Sequence, residues 1–262
     1  MEKLFVIKIG GNVIDDEKLF QSFANKFSSI KEKKILIHGG GKIATEIGKS
    51  LNIESNYVNG RRITDDATLQ LVTMVYGGLI NKKIVAYLQS INCNAIGLTG
   101  ADGNLLPATK RINNEVDFGW VGDTDEKKVN TKLLNSLLIN NLTPIIAPLT
   151  HDSKGNILNT NADTIASVIA TALSKTYEVH LIFCFEKRGV LNDMNDENSV
   201  ISLINDNEFV KLKSENKIHS GILPKIENAL QATGKGVREV VIGKAEDLLL
   251  NTSESVIGTR IV

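Results

Sequence analysis

Short apolar runs alternate along the chain with segments whose apolar residues recur at helical spacing. This is the pattern of strands and crossover helices in an α/β fold with a mainly parallel sheet. Leu4 to Ile9 reads as the first strand, and Leu19, Phe20, Phe23, Phe27 and Ile30 follow at helical spacing behind a cap at Asp15 or Asp16. Ile35 to Ile37 is the second strand, and Ile43, Ile47 and Leu51 mark the helix after it. Thr64-Asp65-Asp66 then caps a long periodic segment through Leu69, Val72, Tyr76, Ile80 and Tyr87, ending near Ser90. Its apolar positions wrap around more than one face, which suits a core helix or a dimer contact.

Ala95 to Leu98 is a further strand, and the polar, glycine-containing stretch from Gly100 to Asp123 reads as loops or small hairpins. A helix from Lys132 to Asn141 leads to a strand between Pro144 and Pro148. Asp152 to Asn161 reads as a hairpin turning at Lys154-Gly155-Asn156, where a boundary between halves 1–150 and 151–262 is placed. The second half continues with a helix from Asp163 to Ser174, a strand from Val179 to Phe185 and a helix after Pro224. A strand at Glu239 to Ile242, a short helix from Ala245 to Leu250 and a closing strand from Thr259 to Val262 complete it.

Composition narrows the function. With 262 residues, 42% of them hydrophobic, the chain is long enough to bury a large core, and disorder is excluded. Thirty basic residues balance thirty acidic ones with no basic stripe, so no nucleic-acid partner is expected. Charge interrupts the N-terminus too early for a signal peptide, and no apolar stretch is long enough to span a bilayer; a cytoplasmic protein with no membrane partner is expected. Cys93 and Cys184 form no CxxC pair, and His38, His151, His180 and His219 have no ligand spacing, so no metal site is expected.

Five constellations carry candidate chemistry. Lys8-Ile9-Gly10-Gly11 puts a lysine on an apolar strand before two glycines, as an anion site at the strand's C-terminal end requires; an edge-strand lysine reaching solvent is the alternative. His38-Gly39-Gly40-Gly41-Lys42 frees backbone N–H groups for an anion at a helix N-terminus, and Gly39, Gly41 and Ala44 also fit the dinucleotide pattern GxGxxA. Asn59-Gly60-Arg61-Arg62 is either a carboxylate or phosphate clamp or a solvated surface pair. In Asn159-Thr160-Asn161-Ala162-Asp163, either Asn161 or Asp163 caps a helix, or the amides hold substrate while the carboxylate orients cations. Ser220-Gly221-Ile222-Leu223-Pro224-Lys225 puts a lysine in a first helical turn, where the dipole disfavours it unless an anion is near. Two lysines, a glycine cradle and one aspartate suit phosphoryl transfer, which depends mainly on positioning and charge.

In this order KIGG, HGGGK, NGRRIT, NTNAD, GILPK and the closing GTRIV resemble the amino acid kinase family nearly end to end, in particular its members that phosphorylate an N-acylated glutamate. The resemblance implies a three-layer αβα sandwich around a mainly parallel sheet. Residues 1–150 would bind N-acyl-L-glutamate and form a homodimer, and residues 151–262 would bind ATP with Mg2+ carried by the nucleotide. It implies that Gly40 and Gly41 hold the reacting end of the substrate, Arg62 its α-carboxylate and Asn159 its amide region. Gly10, Gly11, His219 and Gly221 would lie against the nucleotide, and Lys8 and Lys225 would stabilise the transferring phosphoryl group, with Asp163 orienting both. The activity implied is ATP-dependent phosphorylation of the γ-carboxylate of N-acetyl-L-glutamate, the second step of arginine biosynthesis.

The chain departs from the family's pattern at three places. Ile182-Phe183-Cys184-Phe185-Glu186-Lys187-Arg188-Gly189 stands where a Thr-Asp or Ser-Asp step is usual, Ser220-Gly221-Ile222 replaces GGM, and Arg61 replaces a leucine. The extra cation at Arg61 makes N-succinyl-L-glutamate an alternative substrate. Arginine-inhibited members carry an additional N-terminal helix, so a homodimer insensitive to arginine is expected from a first strand at Leu4. Other kinases of the family, a Rossmann dehydrogenase and a catalytically inactive metabolite sensor are the remaining alternatives.

Overall fold

The computed structural model describes residues 1–58, 61–193, 195–215 and 222–262. Its frame is an eight-stranded sheet formed, in chain order, by β1 (Lys3–Ile9), β2 (Lys33–His38), β3 (Ala95–Leu98), β4 (Thr143–Ile146), β5 (Glu178–Phe185), β6 (Leu203–Ile204), β7 (Glu239–Lys244) and β8 (Thr259–Ile261). The spatial order is β6-β8-β7-β5-β1-β2-β4-β3, and every pairing is parallel except β7 with β8. The chain starts at the centre, moves out through β2 to β4 and β3, and returns on the other side of β1 with β5 and β7. The carboxyl ends of β1, β2 and β5 therefore flank the point where the strand order reverses, which in open parallel sheets is where ligands bind.

Strands buried on both faces need nearly continuous apolar runs, and β1 is buried from Leu4 to Ile9. Its side chains alternate between two cores, as the pleat requires. Leu4 and Val6 pack with Ile35, Leu181 and the helices α6 (Thr131–Ile139), α7 (Ala162–Leu173) and α9 (Leu223–Gly234). Phe5, Ile7 and Ile9 pack on the opposite face, with Phe20, Phe23, Ala24 and Phe27 of α2 (Glu17–Ser29). This is the three-layer sandwich expected from the sequence. The long segment after Asp65 is one continuous rod, α4 (Asp66–Val72), a π-helical stretch from Thr73 to Ile80, and α5 (Asn81–Ser90).

Helix starts divide into two kinds. Asp16, Asp65, Asn130, Asn161 and Asn205 each accept backbone N–H groups from the first turn of α2, α4, α6, α7 and α8 (Asp206–Ser214). The helices α1 (Gly11–Asp15), α3 (Gly41–Ser50) and α9 start at Gly10, Gly40 and Ile222 without a side-chain cap and with no acidic residue in the first turn. Their first-turn N–H groups and positive dipole ends are left for something other than a neighbouring side chain.

The short α1, β6 and α8 were not foreseen from the sequence, nor was the two-stranded pairing of Tyr57–Val58 with Arg61–Arg62. The other elements agree with the expectation to within a few residues.

Candidate active site

Lys8 occupies the sixth position of β1, so the pleat turns it to the same face as Leu4 and Val6, against α7. Its strand lies between β2 and β5, so the edge-strand alternative does not hold. Lys8 is 8% exposed, and its Nζ lies 2.7 Å from Asp163 Oδ1. This is an ion pair by distance, without hydrogen-bond alignment. Asp163 is free to make it because Asn161 is the cap of α7, accepting from Asp163 N at 2.8 Å and Thr164 N at 3.1 Å. Lys225, in the first turn of α9, reaches the same point from the other side. Burial pushes its ammonium below the ordinary lysine value and the Lys8 charge adds to this, while the Asp163 carboxylate opposes it.

Phe185, the last residue of β5, supports both cations. Its ring centroid lies 3.6 Å from Lys225 Nζ and 5.6 Å from Lys8 Nζ. Nothing in the sequence marked this residue, because Cys184-Phe185-Glu186 lacks the usual polar step. The register Lys8↔Phe183 and Ile9↔Cys184 puts Cys184 and Phe185 beside the Gly10-Gly11 turn. Burial pushes the Cys184 thiol up to about 12, so it is a packing residue and not a nucleophile.

Two glycine loops meet here. Gly39 N donates to Ile9 O at 3.1 Å, which ties the turn after β2 to the turn after β1. A Cβ at Gly40 would run into Ile80 and the ring of Tyr76, so only glycine lets α3 start this close to the rod. His38 is fully buried beneath the loop, and burial pushes its imidazole down to about 4. It is therefore neutral at pH 7, with Nδ1 donating to Gly39 O at 2.8 Å and Nε2 accepting from Asn81 Nδ2 at 3.2 Å.

Each loop lines one cavity. A cavity of about 460 Å³ has Gly10, Gly11, Cys184, Phe185, Val190, Leu191, Ile222 and Ile242 on its wall, mostly apolar, with Glu186, Lys187 and Lys225 as its charged residues. The second, of about 210 Å³, is lined by Gly39, Gly40, Gly41, Arg61, Arg62, Tyr76, Arg111, Asn159 and Asn161, among others. Arg62 is 7% exposed. Its Nη2 donates to Gly41 O at 2.8 Å and Thr45 Oγ1 at 2.9 Å, its Nη1 to Ser55 Oγ, and its guanidinium stacks 4.8 Å over the Tyr57 ring. Asn159, on the wall of the same cavity, donates from Nδ2 to Thr64 Oγ1 at 3.0 Å. Of the candidate residues, His219 and Gly221 lie outside the described residues, as do Asn59, Gly60 and Ser220. The others converge on the two cavities and the cationic cluster between them.

A model of the amino acid kinase family matches residues 3–244. The chain belongs to this family. Among its relatives, the acetylglutamate kinase of Cytophaga hutchinsonii is 54% identical over 265 residues, covering 100% of this chain and 99% of that one. The acetylglutamate kinase of Parabacteroides distasonis is 52% identical over 248 residues, covering 95% and 96%. The carbamate kinase of Giardia lamblia, solved with AMP-PNP, shares the fold at TM-score 0.71 and 16% identity, covering 100% of this chain and 98% of that one. Membership in the amino acid kinase family accounts for the mainly parallel sheet and excludes a Rossmann dehydrogenase built on the GxGxxA pattern. Among the described residues, no helix is long and apolar enough to cross a membrane.

Proposed function

We propose that this chain transfers the γ-phosphoryl group of ATP to the γ-carboxylate of N-acetyl-L-glutamate, the second step of arginine biosynthesis. The observation that carries the proposal is the cluster of Lys8, Asp163 and Lys225 between two cavities of different character. The larger, mostly apolar cavity suits the base and ribose of a nucleotide, and Gly10 and Gly11 at the uncapped start of α1 suit its phosphates. The smaller cavity has Arg62 for an α-carboxylate, Asn159 for an amide, and the uncapped start of α3 for the γ-carboxylate. The identity with acetylglutamate kinases over the full chain selects this substrate among those of the family.

A carboxylate oxygen attacks the γ-phosphorus in line, the bond to the β,γ-bridging oxygen breaks, and ADP leaves. The carboxylate is already ionised at neutral pH, so no general base is needed. The difficulty is bringing two anions together. Lys8 and Lys225 would set positive charge against the negative charge of the equatorial phosphoryl oxygens, with Asp163 holding the two ammonium groups together. Magnesium would enter on the nucleotide's phosphates and neutralise part of their charge; among the described residues no three His, Cys, Asp or Glu side chains gather as a protein-built site. We assign 1–150 to the acyl-glutamate half and 151–262 to the nucleotide half. The proposed assembly is a cytoplasmic homodimer. The test is a coupled ADP-release assay over glutamate, N-acetyl-L-glutamate, aspartate, carbamate and UMP. ADP release that needs an N-acylated glutamate supports the proposal; release with glutamate, aspartate, carbamate or UMP alone refutes it.

A further inference from the structure

The short hairpin pairing Thr109–Lys110 with Gly122–Asp123 carries Arg111 to the wall of the smaller cavity. Its backbone N donates to Val121 O at 2.7 Å, and its guanidinium lies 5.5 Å over the Phe118 ring. Nε donates to both oxygens of Asp123, at 3.1 and 3.0 Å, and Nη2 donates to Asp123 as well. The side chain is 15% exposed and held on three sides. Nη1 is shielded from solvent and has no hydrogen-bond partner among the described residues. A guanidinium N–H out of water without an acceptor is costly, and the side chain that carries it is fixed on the wall of this cavity.

The charges on the cavity wall point the same way. Arg61, Arg62 and Arg111 line it, and no acidic side chain does. N-acetyl-L-glutamate brings two carboxylates, the α-carboxylate for Arg62 and the γ-carboxylate for the lysine cluster. Asp123 offsets the charge of Arg111, which leaves the exposed Arg61 and the unmet Nη1 without a counterpart on such a substrate.

We infer that Arg111, with Arg61, forms an anion clamp at the acyl end of this cavity, and that the chain takes N-succinyl-L-glutamate in preference to N-acetyl-L-glutamate. The inference rests on the acyl-glutamate kinase proposal. The terminal carboxylate of the succinyl group accepts from Arg111 Nη1, and Arg61 adds attraction from the rim. Chemistry at the γ-carboxylate is unchanged, and the acyl group sets the specificity.

The test is kcat/KM for both substrates at saturating ATP, on the full chain and on the variants Arg111→Gln and Arg61→Leu. A charge-assisted hydrogen bond in a shielded site is worth about tenfold to a hundredfold in affinity, so the wild-type protein should favour the succinyl substrate by about tenfold or more. Arg111→Gln should lower the succinyl-to-acetyl ratio by a similar factor, and Arg61→Leu by a smaller one because its site is wet. Should Arg111→Gln not fold, the wild-type ratio and Arg61→Leu still decide. A wild-type preference for acetyl, or a ratio within twofold of wild type in both variants, overturns the clamp and leaves the kinase proposal standing. No ADP release with either substrate defeats the kinase proposal and the clamp with it.

Discussion

Replacing Lys8 by methionine removes one positive charge from the proposed transfer site while leaving the strand that carries it nearly undisturbed. Methionine is unbranched and close in length to the lysine stem, so it fills the same path between Val6 and the Phe185 ring. Asp163 loses its partner at 2.7 Å, but its side chain is 23% exposed and still faces Lys225, so the stability loss should stay below about 2 kcal/mol. Catalysis should suffer far more. A preorganised donor aimed at developing charge is worth about 10²–10³ in kcat, or about 3–4 kcal/mol of barrier. Coupled ADP release should therefore show kcat lower by at least a hundredfold in Lys8→Met, with a melting temperature within a few degrees of wild type. Lys225→Ala should behave alike. The double variant should lose less than the product of the two factors, because both ammonium groups act on one phosphoryl group. A Lys8→Met enzyme that turned over within tenfold of wild type would refute the role given to this cluster.

Three further outcomes follow from the geometry. His38 has its folded value depressed to about 4 from 6.5, so the unfolded chain binds the extra proton first and stability falls as pH drops from 6.5 toward 4. Between pH 7 and pH 5 this amounts to about 2 kcal/mol, readable as a shift in urea midpoint that His38→Gln should lack; equal pH dependence in the two proteins would contradict it. Gly40→Ala sets a methyl group against Ile80 and Tyr76, and such overpacking costs about 1–3 kcal/mol, seen in thermal melts together with a raised KM for the acyl-glutamate. Asn161→Ala removes the cap of α7, which costs about 1 kcal/mol of stability, and it should lower kcat as well because the same turn holds Asp163 against Lys8.

The core strands and the loops after them were legible because parallel strands must be apolar on both faces, so Lys8 stood out on β1 and the glycines stood out after β1 and β2. The pleat then decided that Lys8 faces α7, which turned a lysine with two possible settings into the partner of Asp163. The choice of cap at α7 was not legible, since Asn161 and Asp163 both suit the role; the structure gives it to Asn161 and frees the aspartate. Phe185 was hidden because its task depends on register with β1 and on a helix some forty positions on. Arg111 was hidden because the Gly100 to Asp123 stretch has no period, and only the two-residue pairing of Thr109–Lys110 with Gly122–Asp123 fixes where it goes. Very short elements such as β6 carry too few residues to show alternation at all.

The central claim is that a γ-carboxylate oxygen becomes bonded to phosphorus. Hydroxylamine traps an acyl phosphate as a hydroxamate, so incubating the protein with ATP, Mg2+, N-acetyl-L-glutamate and hydroxylamine reads the new bond directly. N-acetyl-γ-glutamyl hydroxamate should form in equal amount to ADP, and at least a hundredfold more slowly with Lys8→Met. ADP formed without hydroxamate, or no ADP at all with either the acetyl or the succinyl substrate, would contradict it.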